Sequence, residues 1–355
     1  MRGVRAWAAI GLILSSLVGC DDESDPPTSG PDPAAVARGE VLYAQYCDFC
    51  HGVEGEGYVS DNANALNQQA FLGTATDAFL AAAIIHGRPG TPMSAWGDVK
   101  GGPLSTGDVD DIVALLRSWQ TSPNLNVHDQ VVTGSAIRGN LTYGSQCAGC
   151  HGAEGEGLTA LSLNNPWFLH TASDGFIRYA IAGGRTGTTM PPFEDSLRSF
   201  EIDDLVALIR SWAQPVDGSG PPPFEPDLSD PIQNPEGETP VFTRREGLYV
   251  PAAEVKAALD AENRMVLIDA RPTADYLTGH IEGAVSLPFY DVSTVAEILP
   301  KDVTYITYCG CPHAVSTQAA NALLMADFEN VGVLDEGYYF WVDQDWPIEV
   351  GPPVD

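Results

Sequence analysis

The strongest constraint on this chain is an internal repeat built around two CxxCH pentads. Cys47-Asp48-Phe49-Cys50-His51 recurs 100 residues later as Cys147-Ala148-Gly149-Cys150-His151. The similarity runs well beyond the pentads. ARGEVLYAQYCDFCHGVEGEG (37–57) aligns with IRGNLTYGSQCAGCHGAEGEG (137–157), FLGTATDAFL (71–80) with FLHTASDGFI (168–177), and DVDDIVALLRSW (108–119) with EIDDLVALIRSW (201–212). Each pentad is followed by a methionine in a Gly/Thr-rich loop, Met93 in GRPGTPM and Met190 in GRTGTTM. A duplicated pattern of this length reads as one structural unit used twice. The last stretch of each copy has helical apolar spacing, through Ile112, Leu115, Leu116 and Trp119, then Leu205, Leu208, Ile209 and Trp212. Those residues are read as core.

The pentad carries a specific chemistry. Two cysteines three apart on a helical turn lie on neighbouring faces, where their thiols can form thioethers to the two vinyl groups of one porphyrin. The histidine that follows then sits under the iron. CxxCH is thus a c-type haem attachment motif, and a thioether sulfur from Met93 or Met190 would close the sixth iron position and raise the potential. The expected cofactor is two covalent haem c groups, held by Cys47, Cys50, His51 and Met93 and by Cys147, Cys150, His151 and Met190. With both axial positions filled, the iron can change only its charge. The other uses of CxxC are a dithiol redox pair or half a zinc site; the immediate histidine in both copies and the lack of a further cysteine pair argue against them.

On these motifs both units resemble class I cytochrome c domains over nearly their full length. The resemblance implies an all-α fold in which an N-terminal helix crosses a C-terminal one, with Gly39 and Gly139 at the crossing. Arg88 and Arg185, just ahead of the methionine loops, are read either as partners of haem propionates, since a guanidinium suits planar carboxylates, or as solvated loop arginines. His86, His128 and His170 do not recur between the copies and are given no ligand role.

Arg2 and Arg5 precede an apolar run from Ala6 to Val18, a secretory pattern. It ends in Leu-Val-Gly-Cys20, which resembles a bacterial lipobox and implies cleavage before Cys20 and lipidation of that residue. The run is short for a span, so a lipid anchor is read in preference to an uncleaved helix. The expected location is an extracytoplasmic membrane surface, the periplasmic face, with DDESDPPTSGPDP (21–33) as an acidic tether. The formal charge of −31 reflects scarce base, with Lys100, Lys256 and Lys301 the only lysines. Nucleic acid is therefore not an expected partner. A redox protein with a basic docking face is, and solubility alone is the other reading of the same charge.

After the Pro/Gly/acid-rich stretch 215–240 the pattern changes. A helix around Val255 and Leu259 precedes apolar runs at 265–268, 305–308 and 331–334, with a further helix over about 315–326. Strands alternating with helices predict a parallel sheet covered on both faces. LIDARPTADYLTGHIEGAVSLPF (267–289), with EGYYFW and WPIE further on, resembles the rhodanese family. The resemblance covers about 242–350 and implies an α/β domain with a sulfur-accepting cysteine at a strand end. Cys309 matches that position, and Cys311 is the alternative. The following loop departs from the family by lacking a basic residue, because 302–355 contains no lysine or arginine. An anionic donor such as thiosulfate would meet backbone amides and Arg271 in an unfavourable field.

The expected organisation is a signal peptide (1–19), an acidic tether (20–33), two cytochrome c domains (34–122 and 131–214), a linker (215–240) and a rhodanese-like domain (242–350). Cysteine usage agrees: one for lipid, four for haem, two in the rhodanese loop. Three functions stay open. They are membrane-anchored electron transfer with a sulfur-handling domain, sulfurtransfer or sulfur oxidation on Cys309 with a sulfur-compound donor, and docking through an inert rhodanese fold.

Overall fold

The computed structural model describes residues 30–60, 63–220, 224–310 and 313–351. Cys20, the secretory segment and Cys311 lie outside them.

The first unit consists of α1 (Pro33–Tyr46), α2 (Asp48–His51), α3 (Gln69–Leu72), α4 (Asp77–His86) and α5 (Thr106–Ser118). The second repeats it with α6 (Ala136–Gln146), α7 (Ala148–His151), α8 (Pro166–Thr171), α9 (Asp174–Gly183) and α10 (Ser199–Ser211). Helix starts follow local chemistry. Thr76 and Ser173 each accept a bond from the amide three residues on, and Ser105 forms a capping box with Asp108.

Each unit is organised by a crossing of its first and last helices, α1 on α5 and α6 on α10. A Cβ on Gly39 would lie 2.2 Å from the Asp111 carbonyl oxygen, and one on Gly139 would lie 2.2 Å from that of Asp204. Only glycine lets the backbones come this close. Salt bridges lock the crossing: Arg38 grips Asp111 at 2.6 and 2.7 Å, and Arg138 grips Asp204 at 2.7 and 2.6 Å. A second arginine repeats as well. Arg117 binds Asp77 and the carbonyls of Leu72 and Ala75, as Arg210 binds Asp174 and those of Leu169 and Ala172.

The third unit is α/β. Its strands are β1 (Tyr249–Val250), β2 (Met265–Asp269), β3 (His280–Ile281), β4 (Val285–Ser286), β5 (Thr304–Tyr308), β6 (Val331–Leu334) and β7 (Ile348–Glu349). Five form a parallel sheet in the order β1-β6-β5-β2-β4, while β3 and β7 pair antiparallel. The intervening helices are α11 (Ala252–Asp260), α12 (Thr273–Thr278), α13 (Val292–Val295), α14 (Ala314–Met325) and α15 (Gly337–Asp343). Every residue of β2, β5 and β6 is buried, as expected of a sheet covered on both faces. Within the Pro-rich stretch, Gln233 bridges to Met265, Phe224 stacks on Tyr276 at 5.6 Å, and Leu228 and Ile232 pack against the core. These scattered apolar side chains strap the stretch to the sheet. No helix among the described residues is long and apolar enough to cross a membrane.

Candidate functional sites

Both CxxCH turns sit on the same scaffold. Tyr43 Oη donates to the Gly52 carbonyl at 2.8 Å, and Tyr143 Oη to that of Gly152 at 2.9 Å. The tyrosines meet Trp119 and Trp212 edge-on at 5.2 and 5.1 Å. Each turn ends on a glycine in the left-handed region, Gly52 at φ 80° and Gly152 at φ 83°, which reverses the chain directly after the histidine.

The imidazoles are oriented alike. Nδ1 of His51 is 2.8 Å from the Asn64 carbonyl oxygen, and Nδ1 of His151 is 2.8 Å from that of Leu161. A bond at Nδ1 fixes the tautomer and leaves Nε2 to bind a metal. Burial lowers the pKa of both rings, which favours the neutral form that an iron ligand needs.

The methionine loops are superimposable in their bonding. Arg88 N donates to the Met93 carbonyl at 2.8 Å, Thr91 Oγ1 donates to the Arg88 carbonyl, and Met93 N donates to Thr91 Oγ1. Arg185, Thr188 and Met190 repeat every one of these bonds. The GRxGTxM pattern is therefore a folded loop with a built-in arginine. Met93 and Met190 both pack against the core, partly buried.

Arg88 and Arg185 are not solvated. Arg88 lies over Phe79 at 5.5 Å and Phe168 at 5.9 Å, and Arg185 lies over Phe176 at 5.3 Å. Burial lowers both guanidinium groups to about 10. Nη1 of Arg185 is buried with no hydrogen-bond partner among the described residues. A buried donor left unpaired is costly, and a haem propionate is an acceptor that fits it. The donor set, the paired rings and this orphaned guanidinium all suit haem c.

The two helical units meet through these elements. Phe79 and Phe176 pack at 5.0 Å, Asn165 Nδ2 donates to the Pro89 carbonyl at 3.0 Å, and His86 stacks on Trp167 at 3.5 Å. His128 contacts Ser173 Oγ at 3.0 Å, and His170 meets Trp167 edge-on. None of these three histidines occupies an equivalent place in both units.

In the α/β unit, Cys309 follows β5 directly. It is 1% exposed, with Sγ 3.1 Å from Ser316 Oγ in α14 and its carbonyl bonded by Tyr338 N at 2.8 Å. His313 begins α14 at φ 70°, but its ring stacks on Tyr249 at 3.8 Å and Nε2 meets Asp335 at 2.6 Å. The ring is thereby turned toward Asp335.

Arg271 departs from expectation. Its place in the sequence predicts a cation available to an anionic donor. Instead it is 4% exposed, with Nε 2.9 Å and Nη2 2.5 Å from the Asp269 carboxylate, Nη2 2.6 Å from the Gly279 carbonyl, and its guanidinium 4.0 Å from the Tyr338 ring centroid. A buried guanidinium needs its carboxylate, so Arg271 holds the sheet to the α12–β3 turn. His280 is likewise structural, bonded to the Tyr276 carbonyl and stacked on that ring at 3.7 Å.

The sequence reading missed an asymmetry between the units. Tyr46, Phe49 and Ser94 of the first face the α/β unit, whereas Gln146, Gly149 and Pro191 stand at the matching places in the second. Phe289 receives Tyr46 at 6.2 Å, Phe49 at 5.8 Å and Trp96 at 6.2 Å. The signal was present in the aligned repeats, as bulky aromatics in one copy and small or polar residues in the other.

Comparison with known proteins agrees with this division. The family described as "Cytochrome C oxidase, cbb3-type, subunit III" matches residues 34–116 and 134–209, and the family described as "Rhodanese-like domain" matches 251–344. The chain therefore carries two cytochrome c domains, which imply haem c, and a C-terminal rhodanese-like α/β domain. A cbb3-type cytochrome c oxidase subunit of Azospirillum sp. (strain B510) is 26% identical over 195 residues, 50% of this chain and 62% of the relative. One from Rubrivivax gelatinosus is 30% identical over 188 residues, 52% of this chain and 56% of the relative. The chain thus spans less than two thirds of the length of these relatives. The solution structure of a rhodanese-like domain from Anabaena sp. is 29% identical, covering 30% of this chain and 85% of that one, with a TM-score of 0.28.

Proposed function

We propose that this protein is a two-haem electron carrier outside the cytoplasm, anchored through a lipid on Cys20, whose rhodanese-like domain carries sulfane sulfur on Cys309. The observation that supports the first part is the duplicated frame: His51 with Met93 and His151 with Met190 stand on hydrogen-bond patterns that repeat bond for bond. Haem c supplies a one-electron iron couple when bound. The chain's own residues do the rest. Cys47, Cys50, Cys147 and Cys150 would tether the haems, Nε2 of His51 and His151 and the soft sulfurs of Met93 and Met190 would hold the iron, and Arg88 and Arg185 would pair with the propionates. The boundaries that go with this reading are 1–19, 20–33, 34–122, 131–214, 215–240 and 242–350.

The sulfur reading is supported by Cys309 at the end of β5 beside Ser316, with Cys311 as the alternative nucleophile. The net charge of −31 favours a redox partner with a basic face and an association that slows as salt rises. Holoprotein made with cytochrome c maturation tests the first part. After denaturation it should retain two covalent haems per chain by intact mass, and one or none would reject it. Persulfide mapping by peptide mass spectrometry tests the second. A Cys309→Ala variant that accepts as much sulfur as the wild type would reject Cys309 as carrier.

A further inference from the structure

The first cytochrome domain and the rhodanese-like domain share a seam that reaches Gly310, next to Cys309. Tyr339 Oη donates to the Thr91 carbonyl at 2.7 Å. A Cβ on Gly310 would lie 3.5 Å from Pro92 Cα and 3.1 Å from the Tyr339 ring. The neighbour of Met93 thus touches the neighbour of Cys309. With consecutive α-carbons about 3.8 Å apart, the α-carbons of Met93 and Cys309 are no more than about 13 Å apart. Asp275 lies beside Ser94, and its Oδ2 is buried with no hydrogen-bond partner among the described residues. Phe289 plugs the seam between Tyr46, Phe49 and Trp96. The matching face of the second domain is open, with Gly149 and Cys150 exposed.

We propose that the Thr91–Ser94 loop of the first cytochrome domain is the outer wall of the Cys309 site, restricting it to slim donors such as the end of a hydropolysulfide chain. This rests on the reading that Cys309 carries sulfur. Cys309 is 1% exposed, and Pro92 and Tyr339 stand against its neighbour Gly310, so among the described residues a bulky donor meets cover on this side. Charge acts in the same direction. Arg271 is neutralised by Asp269, His313 is hydrogen-bonded to Asp335, and Asp275 lies on the seam. A compact dianion such as thiosulfate finds no counter-charge there, whereas a polysulfide spreads its charge along the chain. In the loading step the Cys309 thiolate attacks the terminal S–H sulfur of the donor. The bond from that sulfur to the next breaks, a Cys309 S–S bond forms, and the shortened polysulfide leaves with the electron pair. The transferred sulfur keeps its proton, and no external oxidant is consumed.

The test uses holoprotein with Cys311→Ser, so that one loop thiol is read. Labelling of Cys309 by iodoacetamide and by a polyethylene-glycol maleimide is timed by peptide mass spectrometry. The double variant Tyr46→Gln/Phe49→Gly installs residues that the second domain already carries beside its own haem motif, and Phe289→Ala opens the seam from the other side. The bulky label should react at least about tenfold faster in both than in the wild-type seam, with the small label changing less. Equal bulky-label rates in all three proteins overturn the wall. Hydropolysulfide should load Cys309 at least about tenfold faster than thiosulfate, a gap that narrows in the opened variants; equal loading of the unopened protein overturns the donor restriction. If neither donor loads Cys309 while the labelling contrast holds, the sulfur-carrier reading fails and the wall stands.

Discussion

Tyr339 and Thr91 are 248 positions apart, yet the tyrosine hydroxyl donates to the threonine carbonyl at 2.7 Å. Thr91 also shapes the Met93 loop, through its hydroxyl bond to the Arg88 carbonyl and the bond it accepts from Met93 N. One side chain of the rhodanese-like domain therefore braces the loop that presents Met93.

Tyr339→Phe removes that brace and nothing else of size. A net loss of about 0.5–1.5 kcal/mol is expected for one such bond. Amide exchange should quicken at residues 88–94 while α6–α10 is unaffected. Unchanged exchange in that loop would show that the bond bears no load.

Met93→His and Met190→His exchange a thioether for an imidazole at the proposed sixth position. Each should lower one midpoint potential and abolish the Met–iron absorption of one site, leaving the other intact. A spectrum and potentials identical to the wild type would reject the ligand assignment.

Gly39→Ala and Gly139→Ala each force a methyl to within 2.2 Å of a carbonyl oxygen on the crossing helix. The helices must separate, at a cost of about 1–3 kcal/mol. Thermal unfolding followed by the haem Soret band of the altered domain should shift to lower temperature. An unchanged midpoint would place the crossing elsewhere.

His86 gives a pH dependence whose sign can be worked out. Burial against Trp167, with smaller contributions from Lys100, His170 and Arg88, lowers its ring from 6.5 to about 4. Between those values the unfolded chain binds more protons than the folded one, so stability rises with pH. The contribution is fully present above 6.5 and fades as pH falls toward 4. His86→Phe keeps a flat ring, removes a buried Nδ1 that has no partner among the described residues, and does not titrate. The variant should therefore lose less thermal stability than the wild type between pH 7 and 4.5. Parallel losses would exclude His86 as the cause.

Asp269→Ala strands the Arg271 guanidinium, which is 4% exposed, and removes the acceptor of the Tyr308 hydroxyl at 3.0 Å. Breaking a buried pair from one side costs about 3–5 kcal/mol. The rhodanese-like domain should lose protection in limited proteolysis while both cytochrome domains keep their spectra. A resistant domain would mean that Arg271 finds another partner.

Much of the site was legible in the chain because its determinants are local. The pentads, the GRxGTxM loops and the crossing glycines are short patterns whose bonds close within a few residues or recur in the second copy. Arg271 misled for the same reason. Its signature marks the family, but whether its charge faces a donor or a carboxylate depends on Asp269 beneath it. The seam was harder still, since Phe49 between two cysteines reads as a neutral filler until Phe289 is placed against it.

The sequence by itself determined the two cytochrome c units, the α/β unit and the residue types at each site, because helical period, strand period and motif spacing are properties of neighbouring residues. Only the tertiary structure decided that Arg271 is spent on Asp269, that Arg88 and Arg185 are buried against phenylalanines, and that the Met93 loop lies against Gly310 and Tyr339. Those outcomes depend on which surfaces lose water against each other. Residues hundreds of positions apart settle that together, and no local pattern records it.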